Sequence, residues 1–140
     1  MALNYAYLHS EIEDVADPFT GEQRSFSFSN APRNSASFNL DYYLPPLGTV
    51  QPALNLNYNY VDERDSQSDT TFRDSYQLLN GRISLLDIAF PAGRLDCSAW
   101  IKNALDEDHV IFVVDNLPHA SRAVLWGEPR SWGFDLNYRY

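Results

Sequence analysis

The closing stretch WGFDLNYRY, residues 132–140, alternates Trp132, Phe134, Leu136, Tyr138 and Tyr140 with Gly133, Asp135, Asn137 and Arg139. Successive side chains of a strand point to opposite sides of the sheet, so this period of two puts the apolar residues on one face and the polar set on the other. Such a strand has two possible settings. In a soluble sandwich the apolar face meets a second sheet, whereas in a membrane barrel it meets lipid and the polar face lines a hydrated lumen. The strands upstream carry the decision.

Working back from the C-terminus, RLDCSAWIKN sets Leu95, Cys97, Ala99 and Ile101 against Asp96, Ser98, Trp100 and Lys102. YQLLNGRISLLDIAF, the longest run, sets Leu79, Gly81, Ile83 and Leu85 against Asn80, Arg82 and Ser84. PALNLNYNYV alternates most cleanly, with Leu54, Leu56, Tyr58 and Tyr60 facing one way and Asn55, Asn57 and Asn59 the other. SASFNLDYYL pits Ala36, Phe38, Leu40 and Tyr42 against Ser35, Ser37, Asn39, Asp41 and Tyr43, and LNYAYLHSE opens the chain with a weaker version carried by Leu3, Tyr5 and Tyr7. Asparagines, arginines and aspartates in such numbers are costly to bury in a dry core and suit a wet lumen. The aromatics gather towards strand ends, where an interfacial girdle places them.

The connections alternate in length. PPLGT and PAG force short turns, while residues 12–33, 62–74 and 104–128 read as long polar loops, the first with a strand-like piece at Phe26 and Phe28. Elaborate loops at one end and tight turns at the other is the asymmetry of outer-membrane barrels, and a Greek-key sandwich does not require it. The expected fold is all-β: an antiparallel up-and-down meander of about six strands, a segment of a large transmembrane β-barrel. Both termini then lie on the periplasmic side.

Composition bounds the function. The 140 residues include 44% hydrophobic and 14% aromatic residues with 9 Tyr, yet mean hydropathy is -0.39. A formal net charge of -9 argues against a nucleic-acid partner, since phosphate binding needs a surplus of Lys and Arg on one surface. Cys97 is a lone cysteine, which excludes a disulfide framework and reads as a small hydrophobe. MALNYAYLHSE has neither the basic nor the apolar region of an export signal, and no apolar run reaches the roughly 18 residues of a membrane helix. A membrane location therefore implies strands. His9, His109 and His119 lack a second ligand at metal spacing, and the carboxylates of 62–65 and 106–108 sit in loops rather than as a desolvated pair. No metal, cofactor or enzymatic activity is expected.

Four stretches carry a resemblance: SNAPRNSASFNLDY (29–42), YQLLNGRISL (76–85), WIKNALDED (100–108) and, most specifically, WGEPRSWGFDLNYRY (126–140). Together they resemble the C-terminal end of a TonB-dependent outer-membrane receptor barrel. The resemblance implies a 22-stranded barrel filled by a plug, of which residues 1–140 supply about the last quarter, without plug or N-terminal strands. It implies import of a scarce nutrient, such as a siderophore-bound iron, vitamin B12 or a glycan fragment, by a fragment inactive alone. Implied partners are the remaining barrel strands, the plug and through it the TonB system, outer-membrane lipid, the barrel-assembly machinery and a small-molecule ligand. Ser131, Gly133, Leu136, Tyr138 and Tyr140 match the spacing of the assembly signal. Arg24, Arg64, Arg73, His109 and His119, in the long loops, are candidate ligand contacts. Two other readings compete: a small autonomous outer-membrane barrel of structural role, reaching about eight strands if Phe26–Phe28 and Val110–Val114 are counted, and a soluble lipid-carrier-like barrel.

Overall fold

In a computed structural model the protein is all-β. It is described for residues 1–16, 20–26, 31–64, 74–116 and 121–140. The strands in chain order are β1 (Ala2–Tyr7), β2 (Ile12–Ala16), β3 (Gln23–Phe26), β4 (Asn34–Tyr43), β5 (Gln51–Val61), β6 (Tyr76–Phe90), β7 (Gly93–Lys102), β8 (Val110–Asn116), β9 (Ser121–Trp126) and β10 (Ser131–Arg139). Six of them form one antiparallel meander in the order β1-β4-β5-β6-β7-β10.

The register keeps the two faces apart across the sheet. Leu40 is opposite Leu56, Leu56 opposite Gly81, Gly81 opposite Ile101 and Ile101 opposite Trp132. One residue along, Asp41, Asn55 and Arg82 face one another in turn. A slip of one residue would turn every apolar side chain to the other face, which is why period-two sequences pair in this way. Antiparallel neighbours joined by short connections explain the geometry of the ends. The 44–50 connection, the two-residue β6–β7 turn and both chain termini lie at one end of the sheet, and the three long connections lie at the other.

Two long connections depart from the sequence expectation. Residues 12–33 are not simply polar loop, because β2 and β3 pair as a small separate sheet. The connection from 104 to 128 likewise contains the β8–β9 ribbon. The run VIFVV in β8 is rich in β-branched residues and has the propensity for this. In both ribbons the register shifts, between Ile12 and Val15 and between Val110 and Phe112, and a bulge of this kind breaks the alternation that reveals a strand. These four strands pair two by two, so the meander keeps six strands rather than the eight of the autonomous-barrel count.

The sheet is a single layer. Among the described residues, burial is confined to Pro52, Ala53, Ser84 and Asn103, and no side chain is fully enclosed. The chain exposes 10237 Å², whereas a compact 16.0 kDa monomer exposes about 7,400 Å². Apolar strand faces need a partner layer of protein or lipid, and among the described residues no second layer of protein covers this one.

Candidate functional site

The apolar face follows from the alternation of each strand. Leu3, Tyr5 and Tyr7 of β1, Ile83 and Leu85 of β6, and Trp132, Phe134 and Leu136 of β10 all stand exposed on it, Leu136 at 75%. Three of its tyrosines turn their hydroxyls towards the ends of the strands. At the long-connection end Tyr5 donates to Asn34 Oδ1 (2.7 Å) and Tyr58 to Gln77 Oε1 (3.0 Å), and at the turn end Tyr138 donates to the Pro91 carbonyl (2.9 Å). A ring that is apolar in body and polar at its tip fits a boundary between an apolar and an aqueous medium.

The opposite face is a hydrogen-bonded lattice. Asn55 donates to Asp41 Oδ1 and Asn57 to Asn39 Oδ1, while Asn59 and Asn80 both donate to Asn57 Oδ1, at 2.6 to 3.1 Å. Further along, Arg82 pairs with Asp135 at 2.6 Å, and Arg139 bridges Asp87 and Asp96 at 3.0 Å each. Ser98 donates to Ser84 Oγ at 3.0 Å. Apart from the buried Ser84, the residues of these pairs are partly or fully exposed, so the lattice contributes modestly to stability but fixes side-chain positions.

At the long-connection end the structure brings together two of the five loop residues proposed as ligand contacts. His109 stacks on Tyr76, centroids 4.5 Å apart at 22°, and the Arg64 guanidinium lies 5.3 Å from the same ring. Arg64 Nη2 also donates to the Val110 carbonyl at 3.3 Å, and its Nε is buried without an acceptor among the described residues. A side chain at position 127 would collide with the His109 ring, so Gly127 leaves room for it. Arg24 belongs to β3, with its backbone opposite Val15, which places it in the separate ribbon. Arg73 and His119 lie outside the described residues.

Two further residues organise this rim and escape a reading by residue type. Asn103 is 4% exposed and sits at φ 47°, a left-handed conformation that Asn tolerates better than most residues. Its Nδ2 donates to the carbonyls of Glu107 and Glu128, its Oδ1 accepts from the Glu107 N–H, and its own N–H donates to Asn80 Oδ1. It ties the end of β7 to β6 and to both flanks of the β8–β9 ribbon. Tyr76, which joins Arg64 to His109, is the second. Beside them, a cleft of about 360 Å³ is lined by His9, Glu11, Arg33, Asn34, Asp62 and Glu63 among others. The amide of Asn34, donating to Asp62 Oδ2 at 2.7 Å, holds that carboxyl below its ordinary pKa, with help from the Tyr60 hydroxyl and the Glu63 N–H.

The terminal-strand residues divide between the faces. Leu136, Tyr138 and Tyr140 stand on the apolar side, with Tyr140 fully exposed. Ser131 and Gly133 stand on the polar side, opposite Lys102 and Trp100. Among the described residues no group of three or more His, Cys, Asp or Glu could hold a metal ion. Comparison of the chain with protein-family models, curated proteins and solved structures gives no match.

Proposed function

We propose that this chain is wall of an outer-membrane β-barrel, and that within this class it forms the closing strands of a TonB-dependent receptor importing a scarce nutrient. The observation that carries the membrane part is the apolar face, continuous over six strands, uncovered among the described residues and backed by a hydrogen-bonded polar lattice. The nine residues of β10 span about 30 Å at ~3.4 Å per residue. Tilted by ~40°, they rise about 23 Å, close to the ~25 Å apolar band of such barrels. Among the described residues the outer edges of β1 and β10 have no neighbour in the sheet, and open edges within a bilayer are untenable. Further strands of the receptor would occupy them.

The receptor part rests on the sequence resemblance, above all WGEPRSWGFDLNYRY, and on the placement of every long connection at one end. In this reading the long connections face outward, the plug and the TonB system lie with the rest of the receptor, and the Arg64–Tyr76–His109 cluster belongs to the ligand vestibule. The soluble carrier reading is disfavoured by the exposure of the apolar face, which no second apolar layer covers among the described residues.

Sedimentation of the purified chain with and without detergent tests the membrane part. The chain is expected to associate in detergent-free buffer and to disperse in micelles as a defined protein–detergent particle. A monodisperse monomer in plain buffer would overturn the proposal.

A further inference from the structure

The alternation of a terminal strand forbids a slip of one residue but is indifferent to a slip of two, which keeps both faces intact. Something else must choose among the even registers of β10 on β7, and two aromatic–glycine contacts span this pair of strands. On the polar face the Trp100 indole covers Gly133, its cross-strand partner, so closely that a Cβ at 133 would lie 2.6 Å from the ring. On the apolar face the Tyr138 ring covers Gly93, where a Cβ would lie 2.9 Å from it and would also strike the Arg139 carbonyl. One ring belongs to β7 and lies on a glycine of β10; the other belongs to β10 and lies on the first residue of β7.

Both rings are held in place. Trp100 Nε1 donates to Asp135 Oδ1 at 3.3 Å, and Asp135 is fixed by Arg82. Tyr138 donates to Pro91 and meets Phe90 edge-on at 5.9 Å. A two-residue slip would set Trp100 against Ser131 or Asp135, both of which carry a Cβ where the ring lies, and the slip towards Ser131 would also move Arg139 away from Asp96.

We infer that Gly133 and Gly93 are the register-setting seats of the terminal strand, so that the free edge of β10 is presented at a single level to the antiparallel strand that extends the sheet. This gives Gly133 a role distinct from membership of a terminal assembly signal. The inference rests on the β7–β10 ladder and stands even if the transport reading fails.

The native Cys97 provides the test, because Leu136 is its cross-strand partner. Cα atoms in antiparallel partners lie within disulfide reach. In full-length chain in micelles, Leu136→Cys should cross-link to Cys97 on mild oxidation, whereas Phe134→Cys and Tyr138→Cys should do so poorly. Adding Gly133→Val should cut the Leu136→Cys yield by more than half and raise that of one of the other two. Adding Trp100→Ala to Gly133→Val should restore the original pattern. An unchanged pattern in Gly133→Val would overturn the inference, and so would failure of Trp100→Ala to restore it, whether Gly133→Val shifts the strand or prevents folding.

Discussion

Replacing Leu56 with arginine should abolish stable insertion into lipid vesicles, while the same replacement at the adjacent Asn55 should leave it nearly intact. Leu56 lies mid-strand between Leu40 and Gly81 on the apolar face, where the barrel reading puts acyl chains. A charge at the bilayer midplane costs about 2–4 kcal/mol on the lipid face of a barrel, enough to lower the inserted fraction by a factor of roughly 30 to 1,000. Asn55 faces the other way and donates to Asp41, so an arginine there gains a carboxylate partner in a hydrated setting. Flotation of vesicles loaded with each variant measures the difference. Equal flotation of the two would mean that the faces are not divided between lipid and water.

The second large effect should come from Asn103→Ala, through packing of the rim. That change leaves the Glu107 N–H without its acceptor and takes the Asn103 donor from the carbonyls of Glu107 and Glu128, and alanine is poorly suited to φ 47°. Unsatisfied groups cost about 1–3 kcal/mol each, offset by any water that enters, so a loss of about 2–4 kcal/mol is expected. It should be local. Amide exchange ought to accelerate at Asp106, Glu107 and Gly127, which bond within this junction, while the central strands β5 and β6 keep their protection. Asn103→Asp retains the acceptor and removes both donors, and should fall between. Uniform acceleration throughout the sheet would show that Asn103 supports the whole sheet rather than the rim.

The six long strands and the end-to-end asymmetry of their connections are legible in the sequence because both are local properties. Period-two alternation needs only near neighbours, and Pro45, Pro46 and Gly48 mark a turn without reference to the rest of the chain. The ribbons were harder to read because their bulges interrupt the period, with Asp14 at φ 57° falling within β2. Residue type alone drew attention to Arg64 and His109 but not to Tyr76 between them, since Arg64 and Val110 are 46 positions apart and nothing local announces their meeting. Gly133 enters the sequence reading only as a position of the terminal strand and of the assembly signal that the resemblance implies, because the ring that covers it comes from Trp100 on another strand.

The division of the faces between lipid and water is the central claim, and two tryptophans report on it directly. Trp132 is 70% exposed on the apolar face, and Trp100 lies on the polar face against Gly133. With the other two tryptophans replaced by phenylalanine in each case, the measurement is fluorescence quenching by bromines on the lipid acyl chains. The barrel reading predicts strong quenching of Trp132 and little of Trp100; comparable quenching of both, or stronger quenching of Trp100, would contradict it.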